Sequence, residues 1–109
     1  LAERGAYVGF DRFGLEMMIA DEVRMKNLRQ LAQSGHRDRI MVSHDSVNCW
    51  LGGLPDGLTD DYLKQGAPNW KMTHLFETIF PELKRMGMSE ADLDAIIVDN
   101  PRRWIEGAG

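Results

Sequence analysis

Two short apolar runs end in carboxylates. Arg39-Ile-Met-Val-Ser-His-Asp45 delivers Asp45; Ala6-Tyr-Val-Gly-Phe-Asp11 delivers Asp11, followed at once by Arg12 and then by Gly14. A carboxylate at a strand tip can bind a divalent metal through oxygen and take a proton from a metal-bound water. It cannot hold a metal alone, because a catalytic zinc site needs about three protein ligands. Asp45 is the strongest candidate because His44 precedes it and the polar Ser46 and Asn48 follow; the plainer alternative is a cap on the following loop. Arg12 could pair with Asp11 or a loop carboxylate, or bind substrate. The other candidates offer less. His36 follows a helix-ending glycine and is expected to be exposed, and His74 sits among apolar helical neighbours, as packing or capping histidines do. Cys49 has no base at recognisable spacing, His44 lying five residues upstream.

Residues 6–11 and 39–44 read as the strands that carry these groups. Ile40, Met41 and Val42 are nearly continuous apolar residues, which suits a strand covered on both faces. Gly9 is expected to admit a close neighbour. Residues 12–20 form an irregular turn with an apolar cluster, Leu15, Met17, Met18 and Ile19. Asp21 is expected to cap a helix over 22–34, with Val23, Leu28, Leu31 and Ala32 at helical spacing and Gly35 closing it. Residues 46–69 read as a long loop punctuated by Gly and Pro but carrying Trp50, Leu54, Tyr62 and Leu63, too much apolar surface for a linker. A helix over about 71–86 presents Leu75, Phe76, Ile79, Phe80 and Leu83, with Pro81 expected to kink it. Ser89 with Asp92 approximates a capping box, and Asn100-Pro101 is expected to start a last turn as N-cap and first residue. The order is α/β: two βα units in series, a long loop, then helices. In parallel α/β sheets the C-terminal strand ends carry the chemistry.

The chain has 109 residues, where a complete (β/α)₈ barrel needs roughly 250. Leu1-Ala-Glu-Arg-Gly5 reads as the end of a helix, so the sequence is expected to be the later part of one barrel domain spanning 1–109. A net charge of −4 with scattered Lys and Arg gives no basic footprint for nucleic acid. No apolar run approaches the ~18 residues of a membrane span. The single cysteine rules out an internal disulfide and is compatible with a cytoplasmic location.

Val8-Gly-Phe-Asp-Arg-Phe-Gly14 and Ile40-Met-Val-Ser-His-Asp45 resemble the seventh and eighth strand ends of the phosphotriesterase family, within the amidohydrolase superfamily. Ala67-Pro-Asn-Trp70, the helix with an internal Pro, and Asn100-Pro-Arg-Arg-Trp104 follow in the family's order and spacing. The resemblance implies a (β/α)₈ barrel, of which this chain holds strands seven and eight, the long loop eight and the C-terminal helices. It implies a hydrolase with two divalent metals, zinc or similar. Asp45 matches the carboxylate that binds the more buried metal and shuttles the proton. Arg12, following the strand-seven Asp11, matches the lactonase-like branch. Val47, Cys49 and Trp50 match the pocket-lining loop, with Asp11 and His44 as supporting residues. The family's His-x-His pair, its bridging lysine and its two further metal-binding histidines are absent from this sequence.

Two functions follow. In one, the chain is part of a hydrolase of small-molecule lactones, esters or phosphotriesters. In the other, it is a non-enzymatic piece that assembles with the missing part of the barrel or with itself, because two parallel strands leave open edges and uncovered apolar faces.

Overall fold

The computed structural model describes residues 1–107. Two strands, β1 (Val8–Phe10) and β2 (Ile40–Val42), pair in parallel with Val8 opposite Ile40 and Phe10 opposite Val42. Both are shorter than the apolar runs suggest, yet the zipper continues past them: Ser43 N–H donates to Phe10 O at 3.0 Å and Phe13 N–H to Ser43 O at 3.4 Å. The tips carrying Asp11, Arg12 and Asp45 are therefore tied side by side.

A parallel pair needs a crossover, and α1 (Asp21–Leu31) supplies it. The helix ends through a turn in which Gly35 takes φ 92°, the left-handed conformation that suits glycine. Of the expected face, Leu28 is buried and Leu31 and Ala32 pack against the core, joined by Met25, while Val23 is exposed. His36 is half-buried rather than exposed.

The segment expected to be all loop contains a helix, α2 (Asp60–Gly66). Thr59 caps it, its Oγ1 accepting from Tyr62 N–H at 3.0 Å, and Asp60 and Asp61 sit in the first turn where carboxylates favour the helix dipole.

Three further helices form the C-terminal layer: α3 (Phe80–Arg85), α4 (Glu90–Asp94) and α5 (Asn100–Glu106). Wide π-type turns over Leu75–Ile79 and Ala95–Asp99 lead into α3 and α5. Each precedes a proline, Pro81 and Pro101. A helical proline lacks an N–H and presses its ring against the carbonyl four residues back, here Glu77 and Ile97, which lie inside the widened turns. The expected distortion at Pro81 thus takes the form of a π-type turn. Ser89 and Asp92 form the expected capping box, with reciprocal bonds of 3.1 and 2.9 Å. Leu75, Ile79, Phe80 and Leu83 are buried; Phe76 is exposed and packs edge-on against Phe80.

Asn100 is not an N-cap. Its backbone is helical, continuous with Asp99, and its fully buried side chain reaches back to β2, donating to Arg37 O at 2.9 Å and Ile40 O at 2.6 Å. Asp21 is not an N-cap either: Ala20 holds that position and Asp21 is the first helical residue, buried at 5 % exposure.

Phe13, Leu28, Ile40, Ile79, Leu83 and Ile96 form the fully buried centre, where α1, β2 and the C-terminal helices meet. Phe10, Met41 and Val42 with Pro101, Trp104 and Ile105 surround an open apolar hollow of about 370 Å³. Nothing approaches a Cβ built on Gly9 within 4 Å, so no neighbour among the described residues explains that glycine. No helix of the described residues is long and apolar enough to cross a membrane.

Candidate active site at the strand tips

Asp45 and Arg12 are the two non-glycine residues with positive φ among the described residues, 52° and 59°. The left-handed conformation costs about 1–2 kcal/mol for an ordinary L-residue. Arg12 Nε lies 3.6 Å from Asp45 Oδ2 and 3.7 Å from Asp11 Oδ2, bridging the two carboxylates. All three side chains are about half-exposed, between 45 % and 60 %, and ion pairs so exposed contribute only about 0–1 kcal/mol each. The pairs are too weak to impose two strained conformations. The loops behind them do so, and strain held at a strand tip points to a use there.

These loops are well tied. Trp70 Nε1–H donates to His44 O at 2.8 Å, and Ser46 Oγ–H to Trp70 O at 3.5 Å. His44 Nδ1 accepts from Ser46 N–H at 2.9 Å, so the half-buried ring closes its own turn. Gly14, at φ 94°, packs against the following segment so closely that a Cβ would sit 2.2 Å from Asn69 O. The close backbone approach expected at Gly9 is found instead at Gly14, five residues on.

Beyond Asp45 the loop turns outward. Val47, Asn48, Trp50, Leu63, Lys64 and Trp70 line a cavity of about 340 Å³. Of the three loop residues singled out from sequence, Val47 and Trp50 line it, while Cys49 is exposed and does not. Leu63 was among the apolar residues noted in this segment from sequence, whereas Lys64 was not singled out; the signal for it was Thr59-Asp60-Asp61, a cap followed by an acidic first turn, which puts both on a helix.

The described residues contain no group of three His, Cys, Asp or Glu side chains able to hold a metal ion. Asp45 offers an accessible oxygen donor, but Arg12 competes for it, and Asp11 pairs with the same guanidinium. The chain by itself does not make a metal centre.

The chain as a whole is similar to known proteins. The phosphotriesterase family model matches residues 1–105. A phosphotriesterase homology protein of Mycobacterium tuberculosis is 33% identical over 109 residues, covering 100% of this chain and 32% of its own length. The aryldialkylphosphatase of Saccharolobus solfataricus is 32% identical over 106 residues, covering 95% of this chain and again 32% of that protein. The solved organophosphorus hydrolase of Deinococcus radiodurans superposes with a TM-score of 0.80 at 34% identity, over 93% of this chain and 31% of that one. The chain thus spans about a third of the length of the relatives it matches. With a family match over residues 1–105 and a superposition over 93% of its length, this chain belongs to the phosphotriesterase family.

Proposed function

We propose that this chain supplies the seventh and eighth strand tips, loop eight and the C-terminal helices of a (β/α)₈-barrel hydrolase acting on phosphate esters or lactones. One observation carries the reading: Asp11, Arg12 and Asp45 stand together at the C-terminal end of a parallel strand pair, beside a Trp-lined cavity. That end is where barrel enzymes place their chemistry. The names of the aryldialkylphosphatase and organophosphorus hydrolase relatives support phosphate-ester hydrolysis; Arg12 after Asp11 supports lactones.

Asp45 acts as proton acceptor. Its Oδ2 faces Arg12, which leaves Oδ1 to take the proton of the attacking water and return it to the leaving alkoxide. Arg12 holds the carboxylate's orientation and is positioned to meet an anionic or carbonyl oxygen of the substrate. Trp50, Leu63 and Trp70 provide an apolar wall for the substrate's side groups, with Lys64 at its polar edge. Two divalent ions, zinc or similar, are part of the proposal, with Asp45 as this chain's ligand; bound there, they would polarise the substrate oxygen and generate hydroxide at neutral pH.

The test is hydrolysis of an aryl dialkyl phosphate and of a γ-lactone by the complete protein that contains this chain. Asp45→Asn should keep the fold and lower kcat by at least ~10². Turnover like the wild type would overturn the assignment. A second reading rests on the open hollow formed by Phe10, Met41, Val42, Trp104 and Ile105: the isolated chain associates with itself or with the rest of a barrel and has no activity of its own. Light scattering of the isolated chain should then report more than a monomer, and a monodisperse monomer would contradict it.

A further inference from the structure

Asp21, Arg24 and His74 are buried polar residues that the proposed chemistry does not use. Their exposures are 5 %, 8 % and 2 %. Burying such groups is costly unless they satisfy one another, and here they do so across the fold. Asp21 Oδ2 lies 2.7 Å from His74 Nε2, while Asp21 Oδ1 accepts from Gly14 N–H at 2.9 Å and faces Arg24 Nη1 at 3.4 Å. Arg24 in turn donates to the carbonyls of Ile19 and Leu15. With its proton on Nε2, His74 donates to Asp21, and Nδ1 has no partner among the described residues. The ring has one polar contact, and it is spent on Asp21.

The carboxylate and guanidinium thus hold the 12–20 turn at three points: Gly14 from one side, Leu15 and Ile19 from the other. The histidine joins that clamp to the segment following Trp70, the residue whose indole fixes His44 O beside Asp45. At the same junction Gly14 is pressed against Asn69 and Trp70 backbone. Arg12 is two residues from the clamped amide; Asp45 is one residue from the carbonyl that Trp70 holds.

We propose that the buried Asp21–His74 pair, with Arg24, is a positioning device that locks the two strand-tip loops together and so sets the placement of Arg12 against Asp45. The proposal rests on the hydrolase reading only for its kinetic consequence. Its structural consequence, the coupling of residues 12–20 to 67–74, stands apart from any activity.

Two measurements on the complete protein test it. The first is hydrogen exchange read peptide by peptide. Asp21→Asn should accelerate exchange in both 12–20 and 67–74 and leave the 89–106 helices unchanged; His74→Gln, which keeps an N–H donor at the same reach, should restore more protection than His74→Leu. Faster exchange in 12–20 alone, or an equal effect of Gln and Leu, would overturn the coupling. The second is a double-mutant cycle in kcat/KM. Asp21→Asn and Arg12→Ala should each cost about 10- to 100-fold, the scale of a misplaced binding group, and the double variant should cost little more than Arg12→Ala alone. Multiplicative losses would show that Asp21 does not act through Arg12. If the wild type hydrolyses neither substrate class, the hydrolase reading fails while the exchange result still decides the coupling.

Discussion

Gly14 is where the two loops of the site touch, so adding one methyl group there tests the packing directly. In Gly14→Ala the new Cβ would lie 2.2 Å from Asn69 O, 2.6 Å from its carbonyl carbon and 2.9 Å from Trp70 Cα. All three are backbone atoms, with no flexible side-chain end to swing away. The left-handed φ of 94° adds about 1–2 kcal/mol for any L-residue, and overpacking typically costs about 1–3 kcal/mol. The sum is about 2–5 kcal/mol. Gly87→Ala is the control: its φ is 100°, but nothing lies within 4 Å of its Cβ, so only the backbone contribution of about 1–2 kcal/mol applies. In the complete protein, thermal unfolding should show Gly14→Ala less stable than Gly87→Ala by about 1–3 kcal/mol. Gly14→Ala should also lower kcat/KM about tenfold or more, because relief of the clash moves Trp70 or Arg12; Gly87→Ala should not. Equal melting temperatures, or unchanged kinetics in Gly14→Ala, would refute the claim that this contact shapes the site.

Substitution of Trp50 should reorder substrates by kcat/KM more than it lowers the melting temperature, since it is 36 % exposed and lines the cavity; uniform loss with unfolding would make the loop structural only. Asn100→Ala removes two buried donations to Arg37 O and Ile40 O and should cost about 2–4 kcal/mol in denaturant unfolding; a change under about 0.5 kcal/mol, the usual surface range, would contradict the tether. The Ser89 backbone N–H, with help from the Ser89 hydroxyl and Arg37, holds the Asp92 carboxyl below its ordinary value of 3.8. A depressed carboxyl pKa stabilises the fold above its unfolded value, and that stability is lost as pH falls through the folded value. Wild type should therefore exceed Asp92→Asn in melting temperature at pH 7, with the difference shrinking below about pH 4; a constant difference would exclude this linkage.

The strand tips were readable because a continuous apolar run that stops at Asp is a local pattern, and the capping box at Ser89 and Asp92 is equally local. The misreadings share one cause. Asp21 and Asn100 have the side chains of helix caps, and a rule based on residue type assigns them so. Both instead satisfy buried partners, 53 residues away at His74 and 60 residues away at Ile40, and no window along the chain contains those pairs. The helix α2 was hidden by its surroundings: Gly52, Gly53, Gly57 and Pro68 punctuate the segment strongly enough to mask the start signal at Thr59. Val23 and Phe76 follow helical spacing yet face outward, because spacing fixes a face only to within a neighbouring residue. Of the residues singled out from sequence, the fold brings Asp11, Arg12 and Asp45 into one strand-tip cluster and sets Val47 and Trp50 on the wall of a cavity. Lys64 on the cavity wall and the buried clamp behind Gly14 were not legible.

The role of Asp45 is tested most directly by anomalous X-ray scattering from crystals of the complete protein grown with zinc. An anomalous peak should lie about 2.0–2.2 Å from an Asp45 carboxylate oxygen, with Arg12 still beside the same carboxylate. A peak bound elsewhere, with Asp45 paired only to Arg12, would contradict the claim that this strand tip belongs to the catalytic centre.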